Sequence, residues 1–272
     1  MELLDSHAHY NDEKFEEDRE EVLEEIYKSG ITKLVNAGYS VESSKKSVEI
    51  ANTHNFIYST VGISPNDIEN YKKQDLKEIK ELAQNKKVVA IGEIGLDYYW
   101  NKENKNLQKE VFIDQIKLAN ELELPIVIHT REAIYDTLEI LKNNICIKKG
   151  VFHCCPFNVD LVREGLKLGF YISFAGPTTF KNSKNAAEII NMVPLDRILI
   201  ETDSPYLSPE PFRGKRNDSR NVKYIAQKIA EVKQISIEEV AKATYDNAKR
   251  IFAKIKWFEF YTIKNPVLNW IF

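Results

Sequence analysis

Short apolar runs alternate with longer amphipathic segments along this chain of 272 residues. Runs of apolar and β-branched residues predict buried strands, and the spacing i, i+3, i+4 between them predicts helices. Four helical segments are 15–29, 107–123, 218–233 and 236–254, the last of which begins with a predicted capping box at 236–239. The eight predicted strands are 2–5, 31–36, 57–61, 88–93, 125–129, 149–153, 170–174 and 197–202.

This order of elements predicts an α/β protein with the (β/α)₈ architecture of a TIM barrel. The chain length fits a single domain of this kind, and no Gly/Ser-rich or Pro-rich linker divides it. We assign residues 1–256 to the barrel and residues 257–272 to a short aromatic C-terminal extension. We expect the protein to be a monomer or a weak homo-oligomer. Because the extension is too apolar for a solvated tail, we expect it to pack on the barrel or, in an oligomer, on a neighbouring subunit.

Composition narrows the functional classes. A net charge of −3 argues against a broad basic surface for duplex DNA, although it allows a local cationic site. The three cysteines, with no CxxC spacing, predict reduced thiols and neither a disulfide framework nor a zinc-thiolate site. The N-terminal segment has no signal-peptide pattern, and no apolar run reaches membrane-spanning length. We therefore expect a cytoplasmic protein without membrane contact.

Potential metal ligands lie at the ends of five predicted strands. His7 and His9 are two residues apart, so both imidazoles project to the same side of the first strand. A single histidine at a strand end is usually an ordinary polar residue, but the carboxyl ends of all barrel strands share one face. His54 lies outside this pattern. The residues expected to converge are His7, His9, Glu93, His129, His153 and Asp203.

Longer motifs surround these residues in a fixed order from residue 5 to about residue 217. The motifs are Asp5-Ser6-His7-Ala8-His9, Gly92-Glu93-Ile94-Gly95-Leu96-Asp97-Tyr98, Ile128-His129-Thr130-Arg131-Glu132, Val151-Phe152-His153, Glu201-Thr202-Asp203-Ser204-Pro205-Tyr206-Leu207 and Arg213-Gly214-Lys215-Arg216-Asn217. With these motifs the chain resembles the TatD family of metal-dependent deoxyribonucleases, within the amidohydrolase-like barrels.

The resemblance implies two divalent metal ions, Mg²⁺, Mn²⁺ or Zn²⁺. One ion would be surrounded by His7, His9, Glu93 and Asp203, and the other by Glu93, His129 and His153. Glu93 would bridge the two ions. Imidazole and carboxylate ligands suit such ions and leave positions open for water and substrate. Glu93 and Asp203 are the predicted catalytic residues, with Asp203 orienting or deprotonating the attacking water.

The predicted substrate contacts follow the same strands. Arg131, two residues after His129, can offer a planar fork to a phosphate. Tyr98 can stack on an unpaired base, or pack beneath the loop. Downstream of the eighth strand, a cationic run supplies Arg213, Lys215 and Arg216.

Two departures from the family pattern affect expected substrate contacts. The family often has a histidine at the position of Ser64. Its usual small, Ser/Gly-containing loop after the sixth strand is replaced here by residues 154–158, Cys-Cys-Pro-Phe-Asn. The contact that a histidine would make at position 64 is therefore not expected here. The backbone cradle that the loop after the sixth strand would form around a phosphate is expected to be altered or lost.

Three functions from different classes fit the sequence. The first is a two-metal DNase, an exonuclease that prefers single-stranded or frayed ends, with RNA as an open alternative substrate. The second is an amide or ester hydrolase of the wider amidohydrolase group. Many two-metal members of that group bridge their ions with a modified lysine, so Glu93 favours the first. The third, a metal-stabilised binding protein, is disfavoured because a purely structural site is closed by its ligands.

Overall fold

Eight parallel strands pair in chain order and form a single sheet that curls into a nearly closed barrel. The computed structural model describes residues 1–256. The predicted α/β fold, a single-domain TIM barrel, is confirmed. The strands are β1 (Leu3–Ala8), β2 (Ile31–Ala37), β3 (Ile57–Val61), β4 (Val88–Asp97), β5 (Ile126–Arg131), β6 (Gly150–Phe152), β7 (Tyr171–Phe174) and β8 (Ile198–Ile200).

Helices follow the strands and cover the outside of the barrel. The four segments predicted from apolar spacing correspond to helices Arg19–Lys28, Lys105–Glu121, Val222–Lys233 and Ile237–Ile251. The predicted capping box is present, with Ser236 Oγ accepting from the Glu239 backbone N–H at 3.2 Å and Glu239 Oε2 accepting from the Ser236 backbone N–H at 2.9 Å. The helices are α1 (Arg19–Lys28), α2 (Val41–Thr53), α3 (Lys73–Leu82), α4 (Lys105–Glu121), α5 (Ile134–Asn143), α6 (Val159–Lys167), α7 (Ala186–Met192), α8 (Val222–Lys233) and α9 (Ile237–Ile251).

Two sequence predictions concern surfaces beyond this barrel. Residues 257–272, predicted to form the aromatic extension, lie outside the described residues. Their docking and the oligomeric state remain predictions. Within residues 1–256, no helix combines the length and the apolar character needed to cross a membrane.

One buried side chain from each strand packs in the barrel interior and forms a barrel ring. Its members pack together with Phe252 and Ile255 at the C-terminal end of the described chain. This apolar ring separates the interior from the end of the barrel where the strands begin. The barrel ring consists of Leu4, Val35, Tyr58, Val89, Val127, Val151, Tyr171 and Leu199.

Above the barrel ring, the interior becomes polar. Side chains alternate along a strand, so residues two positions after the ring point to the same side, nearer the carboxyl ends of the strands. Three of these residues are His129, His153 and Glu201. The alternation that fills the barrel with apolar side chains therefore also aims polar groups into its open end.

The seam between β1 and β8 is stabilised by hydrogen bonds around buried Asp5. Beyond the short β8, the Asp203 backbone N–H donates to His7 O at 3.0 Å. The Asp5 carboxylate accepts from the Thr202 hydroxyl at 2.5 Å, the Ser219 hydroxyl at 2.6 Å and the Thr202 backbone N–H at 3.0 Å. Asp5 thereby joins the first strand to the segments after the last one.

Replacing Asp5 with alanine is expected to destabilise the barrel. The change leaves several buried donors without an acceptor, at about 1–3 kcal/mol for each unsatisfied group. A total loss of about 3 kcal/mol corresponds to a Tm lower by about 6–12 °C in a domain of this size. Thermal unfolding followed by circular dichroism measures the change, and Asp5→Asn, which preserves shape and one acceptor oxygen, should lose less. An unchanged Tm in Asp5→Ala would refute this role.

Candidate metal centre

The six predicted ligands meet at the open end of the barrel. His7 lies in β1, Glu93 in β4 and His129 in β5. His9, His153 and Asp203 lie just beyond β1, β6 and β8. Three overlapping groups within this set have ligand atoms within 4.8 Å of one another. These groups are His7, His9 and Glu93; Glu93, His129 and His153; and His7, His153 and Asp203.

The two carboxylate oxygens of Glu93 face different histidines. Oε2 lies 3.4 Å from His7 Nε2 and 3.7 Å from His9 Nε2. Oε1 lies 2.9 Å from His129 Nδ1 and 3.5 Å from His153 Nε2. One buried carboxylate therefore stands between two pairs of imidazoles and shares one oxygen with each pair.

Asp203 completes the group on the Oε2 side of Glu93. Its Oδ1 lies 3.2 Å from His9 Nε2 and 3.7 Å from His7 Nε2. The residue adopts φ = 55°, a left-handed conformation that aspartate tolerates better than most residues. The Asp203 side chain is 15% exposed, whereas that of His7 is 1% exposed. Asp203 therefore combines ligand geometry with access to the cleft.

Hydrogen bonds behind three of the histidines determine which ring nitrogen faces the carboxylates. A carbonyl or carboxylate oxygen only accepts, so in each neutral imidazole the nitrogen behind carries the proton. The opposite nitrogen then presents a lone pair toward the carboxylate oxygens of Glu93 or Asp203, which are also acceptors. A cation bound between the nitrogen and the carboxylate satisfies both groups, as in metal-bound histidines. The three hydrogen bonds join His9 Nδ1 to Ala37 O at 3.1 Å, His129 Nε2 to Asp97 Oδ2 at 2.9 Å, and His153 Nδ1 to Glu201 Oε1 at 3.3 Å.

The pKa shifts in this cluster describe its protonated form, in which positive imidazoles take the place of a cation. Burial raises the pKa of Glu93, but the charge of His153 and hydrogen bonds from the protonated histidines hold it well below its ordinary value. Burial likewise raises the pKa of Asp203, and the His9 contact more than compensates and lowers it. For His153, burial lowers the pKa, while the charge of Glu93 raises it well above the usual value. Both carboxylates are thus held ionised, which is the form that binds cations.

Asp97 and Gly95 position His129 beside Glu93. Asp97 is fully buried, and its Oδ2 accepts from His129 Nε2 at 2.9 Å. Gly95 has φ = 141°, and a Cβ atom there would lie 2.0 Å from His129 O. Only glycine therefore permits β4 and β5 to approach this closely. The sequence prediction assigned no role to Asp97. The available indication was its position in β4 four residues after Glu93, since residues an even number apart in a strand project to the same side.

A cleft of about 1300 Å³ opens above the cluster and includes Arg131 in its wall. Tyr98 is placed differently from its prediction as a base contact. Its ring is buried, and its hydroxyl donates to Asp136 at 2.6 Å, which takes Tyr98 out of the cleft. The next two residues, Tyr99 and Trp100, line the cleft instead and are 44% and 68% exposed.

The cationic run after β8 lies outside the cleft lining. Arg216 is ion-paired with Asp18 and donates to Lys14 O, so its guanidinium is committed to the segment before α1. Arg213 stacks over Phe180 at 4.3 Å from the ring centroid. Lys215 is exposed and is also absent from the cleft lining. The predicted phosphate contacts of these three residues are therefore not supported by their positions.

The two departures from the family pattern have different positions. Ser64 is buried, and its Oγ accepts from the Asn66 backbone N–H at 3.3 Å, so its side chain stabilises a turn. Cys154 lines the cleft, but its backbone N–H donates to Glu201 Oε1 at 2.6 Å. The Cys155 backbone N–H donates to Ser173 O at 3.0 Å. These two N–H groups are used internally and do not form a phosphate cradle.

Glu201 is a second residue to which the sequence prediction assigned no role. Its side chain is fully buried and contacts both His153 and the Cys154 backbone. Its position two residues after Leu199 of the barrel ring was the available signal, because alternation along the strand turns both side chains to the barrel interior. His54, by contrast, lies at the C-terminal end of α2 and outside the cleft.

Comparison with known proteins connects this site to a family. The sequence profile of the family described as TatD related DNase matches residues 4–253. The chain is 46% identical over 251 residues to the uncharacterized metal-dependent hydrolase YabD of Bacillus subtilis (strain 168), covering 92% of this chain and 98% of that protein. It is 36% identical over 256 residues to the uncharacterized metal-dependent hydrolase YcfH of Escherichia coli (strain K12), covering 93% and 96%.

A solved structure gives the same result at the level of the fold. YJJV, a TatD homolog from Escherichia coli K12, superposes with a TM-score of 0.88 at 24% identity and covers 92% of this chain and 98% of that one. The profile match spans β1 through α9, which includes all six residues of the cluster. The chain therefore belongs to the family of TatD related DNases.

Proposed function

We propose that this protein is a metal-dependent hydrolase that cleaves phosphodiester bonds of DNA, removing nucleotides from unpaired strand ends. The observation that carries the proposal is the position of Glu93, whose two oxygens face separate pairs of histidines at the base of a cleft. A carboxylate placed in this way is suited to bridging two cations. The names of the metal-dependent hydrolases YabD and YcfH support the hydrolase class.

The donor set fits two divalent ions. His7, His9 and Asp203 would hold one with Glu93 Oε2, while His129 and His153 would hold the second with Glu93 Oε1. Mixed imidazole and carboxylate donors suit Zn²⁺ or Mn²⁺, and Mg²⁺ is favoured less by the imidazoles. When bound, such ions lower the pKa of water and stabilise the charge that develops on a phosphoryl group.

The chain's own residues supply the remaining steps. The Asp203 carboxylate, ionised and open to the cleft, accepts a proton from the attacking water. As the water oxygen bonds to phosphorus, the bond from phosphorus to the sugar oxygen of the departing nucleotide breaks, and that oxygen takes up the proton that Asp203 accepted. Arg131, also in the cleft wall, donates to non-bridging phosphate oxygens and holds the strand in place. Glu93 and the four histidines keep the floor of the cleft fixed during the reaction.

The size of the cleft favours a polymer over a small molecule. Its volume of about 1300 Å³ exceeds the range of about 300–1,000 Å³ that is typical of small-ligand sites. The cleft therefore has room for more than one nucleotide, which an amide or ester hydrolase of small substrates would not require.

The function is tested by assaying purified protein reconstituted with Mn²⁺, Mg²⁺ or Zn²⁺. End-labelled single-stranded DNA, blunt duplex DNA, RNA, and a panel of amides and carboxylic esters serve as substrates. We expect stepwise loss of nucleotides from single-stranded DNA, slower loss from the duplex, and no activity in EDTA. Turnover of an amide or ester without nucleotide release would contradict the proposal.

Asp97→Asn is expected to lower metal affinity by about 10–100-fold, because outer-sphere partners of metal-bound histidines have effects of this size. The amide oxygen of the variant can still accept from His129 Nε2, but it lacks the negative charge that makes His129 a stronger metal ligand. Titration with Zn²⁺ in competition with a chelating dye measures the affinity. Asp136→Asn removes a nearby carboxylate on α5 that does not contact any histidine of the cluster, and should leave affinity unchanged. Equal affinity in Asp97→Asn and wild type would refute the proposed role.

A further inference from the structure

Two exposed aromatic rings form a corner in the wall of the cleft. Tyr99 and Trp100 have ring centroids 4.7 Å apart and an interplanar angle of 88°. Trp100 is 68% exposed, an unusual position for the largest apolar side chain in a soluble protein. Both residues line the cleft above the metal centre. The more exposed Trp100 ring is therefore available to a ligand that reaches the metal centre.

Arg131 stacks in this corner. Its Cζ lies 3.9 Å from the Tyr99 ring centroid and 5.4 Å from that of Trp100. Within residues 1–256, its guanidinium has neither an ion-pair partner nor a hydrogen-bond partner. Stacking on Tyr99 orients the planar guanidinium and leaves its N–H donors free to bind a phosphate.

A single carboxylate connects this corner to the metal centre. Asp97 Oδ1 accepts from the backbone N–H groups of Tyr99 and Trp100, each at 2.9 Å. Its Oδ2 accepts from His129 Nε2 at the same distance. The backbone that carries the two rings and the imidazole of His129 are thus tied to the same buried carboxylate, which places the corner beside the metal centre.

The cations around the cleft are too few to follow a long backbone. Among residues 1–256, Lys102 and Arg131 are the lysine and arginine residues in the cleft lining, and Glu69 and Glu103 line it as well. The cationic run after β8 is directed elsewhere, as Arg216 shows. Recognition of a strand must therefore depend on contacts other than multiple phosphates, and a base face offers such a contact.

We propose that Tyr99, Trp100 and Arg131 form a base subsite, in which one unpaired base stacks on Trp100 and the adjoining phosphate binds Arg131. The proposal rests on the proposed function and adds a determinant of specificity to it. The enzyme requires a base-bearing, unpaired nucleotide beside the scissile bond. A paired terminus must fray before it is cut, because a base within the stack cannot lie against Trp100.

The test compares single-stranded DNA substrates that differ by one abasic nucleotide, moved one position at a time from each end. Wild-type protein loaded with metal should show a kcat/KM lower by about 5- to 150-fold when the abasic nucleotide occupies the subsite. In Trp100→Ala this ratio should fall to nearly one, and Trp100→Phe should retain much of it. Structural damage would slow both substrates equally and preserve the ratio. Tyr27→Ala removes an exposed ring on α1, at the opposite end of the barrel, and is the matched control.

Binding of the same strands, labelled with fluorescein, is measured by anisotropy because this readout needs no turnover. Trp100→Ala should weaken binding of the base-bearing strand by about 5- to 150-fold and barely alter binding of the abasic strand. Hydrolysis with a ratio that does not change in Trp100→Ala would overturn the base subsite and leave the proposed function standing. Trp100-dependent binding without hydrolysis would support the subsite and overturn the proposed function.

Discussion

Replacing Glu93 with glutamine is expected to remove bound metal and to lower kcat on single-stranded DNA by about a thousandfold or more. Glutamine has nearly the same shape, but it carries no charge and has one oxygen in place of two. The two groups of histidines then lose the donor that they share. A thousandfold effect corresponds to about 4 kcal/mol of lost transition-state stabilisation, within the several kcal/mol that metal centres supply.

Metal content is measured by elemental analysis after gel filtration, and folding by the thermal transition. Glu69→Gln removes another carboxylate from the cleft lining, outside the histidine cluster, and should retain its metal. A folded Glu93→Gln protein with undiminished metal would be incompatible with the bridging assignment.

Substitutions of Asp203 and Arg131 should affect different kinetic constants, kcat for Asp203 and KM for Arg131. Asp203→Asn is expected to reduce kcat by about a thousandfold or more, because an amide can neither accept a proton at this position nor supply the same ligand charge. Binding of single-stranded DNA should persist, because Arg131 and the aromatic corner are intact. Arg131→Gln should instead raise KM by about 10-fold or more, the size of a lost charge-assisted hydrogen bond to phosphate.

Salt dependence separates these two roles further. A lost phosphate contact should lower the slope of log KM against log salt concentration by about 0.7 for single-stranded DNA. Arg131→Gln should show this change and Asp203→Asn should not. Arg163→Gln, an exposed arginine on α6 that pairs with Asp160, provides the control for loss of one positive charge. If Asp203→Asn and Arg131→Gln gave the same pattern, the division of roles would be wrong.

The barrel was predictable because each strand is a short apolar run between amphipathic segments. The limits of the strands were less accurate where polar residues continue a strand into the open end of the barrel. β1 extends to Ala8, beyond the predicted end at residue 5, and β4 extends to Asp97, beyond residue 93. In both strands, polar residues interrupt the hydrophobic pattern while the backbone continues to pair. Hydrophobicity therefore marked where strands begin better than where they end.

The convergence of the six candidate ligands was predictable because it depends on position alone. A residue at the carboxyl end of a barrel strand must lie at the same face as its counterparts, whatever the distance along the chain. The shared environment of His7 and Asp203 follows from this rule although 196 positions separate them. Their functional roles remain predictions that the experiments above test.

Contacts that depend on loop geometry were not predictable. Tyr99 and Trp100 line the cleft in place of the predicted Tyr98, because Asp97 accepts hydrogen bonds from their two backbone N–H groups and stabilises a turn there. No periodicity in the sequence specifies such a turn. The partner of Arg216 is Asp18, 198 residues earlier, and a local charge pattern cannot reveal a pairing at that distance.

The most direct test of the proposed two-metal centre is an anomalous difference map from crystals of the protein grown with Mn²⁺. We predict two peaks, one on each side of the Glu93 carboxylate. The first should contact His7, His9 and Asp203, and the second should contact His129 and His153. A single peak that leaves one pair of histidines unbound, or peaks that do not touch Glu93, would contradict the central claim.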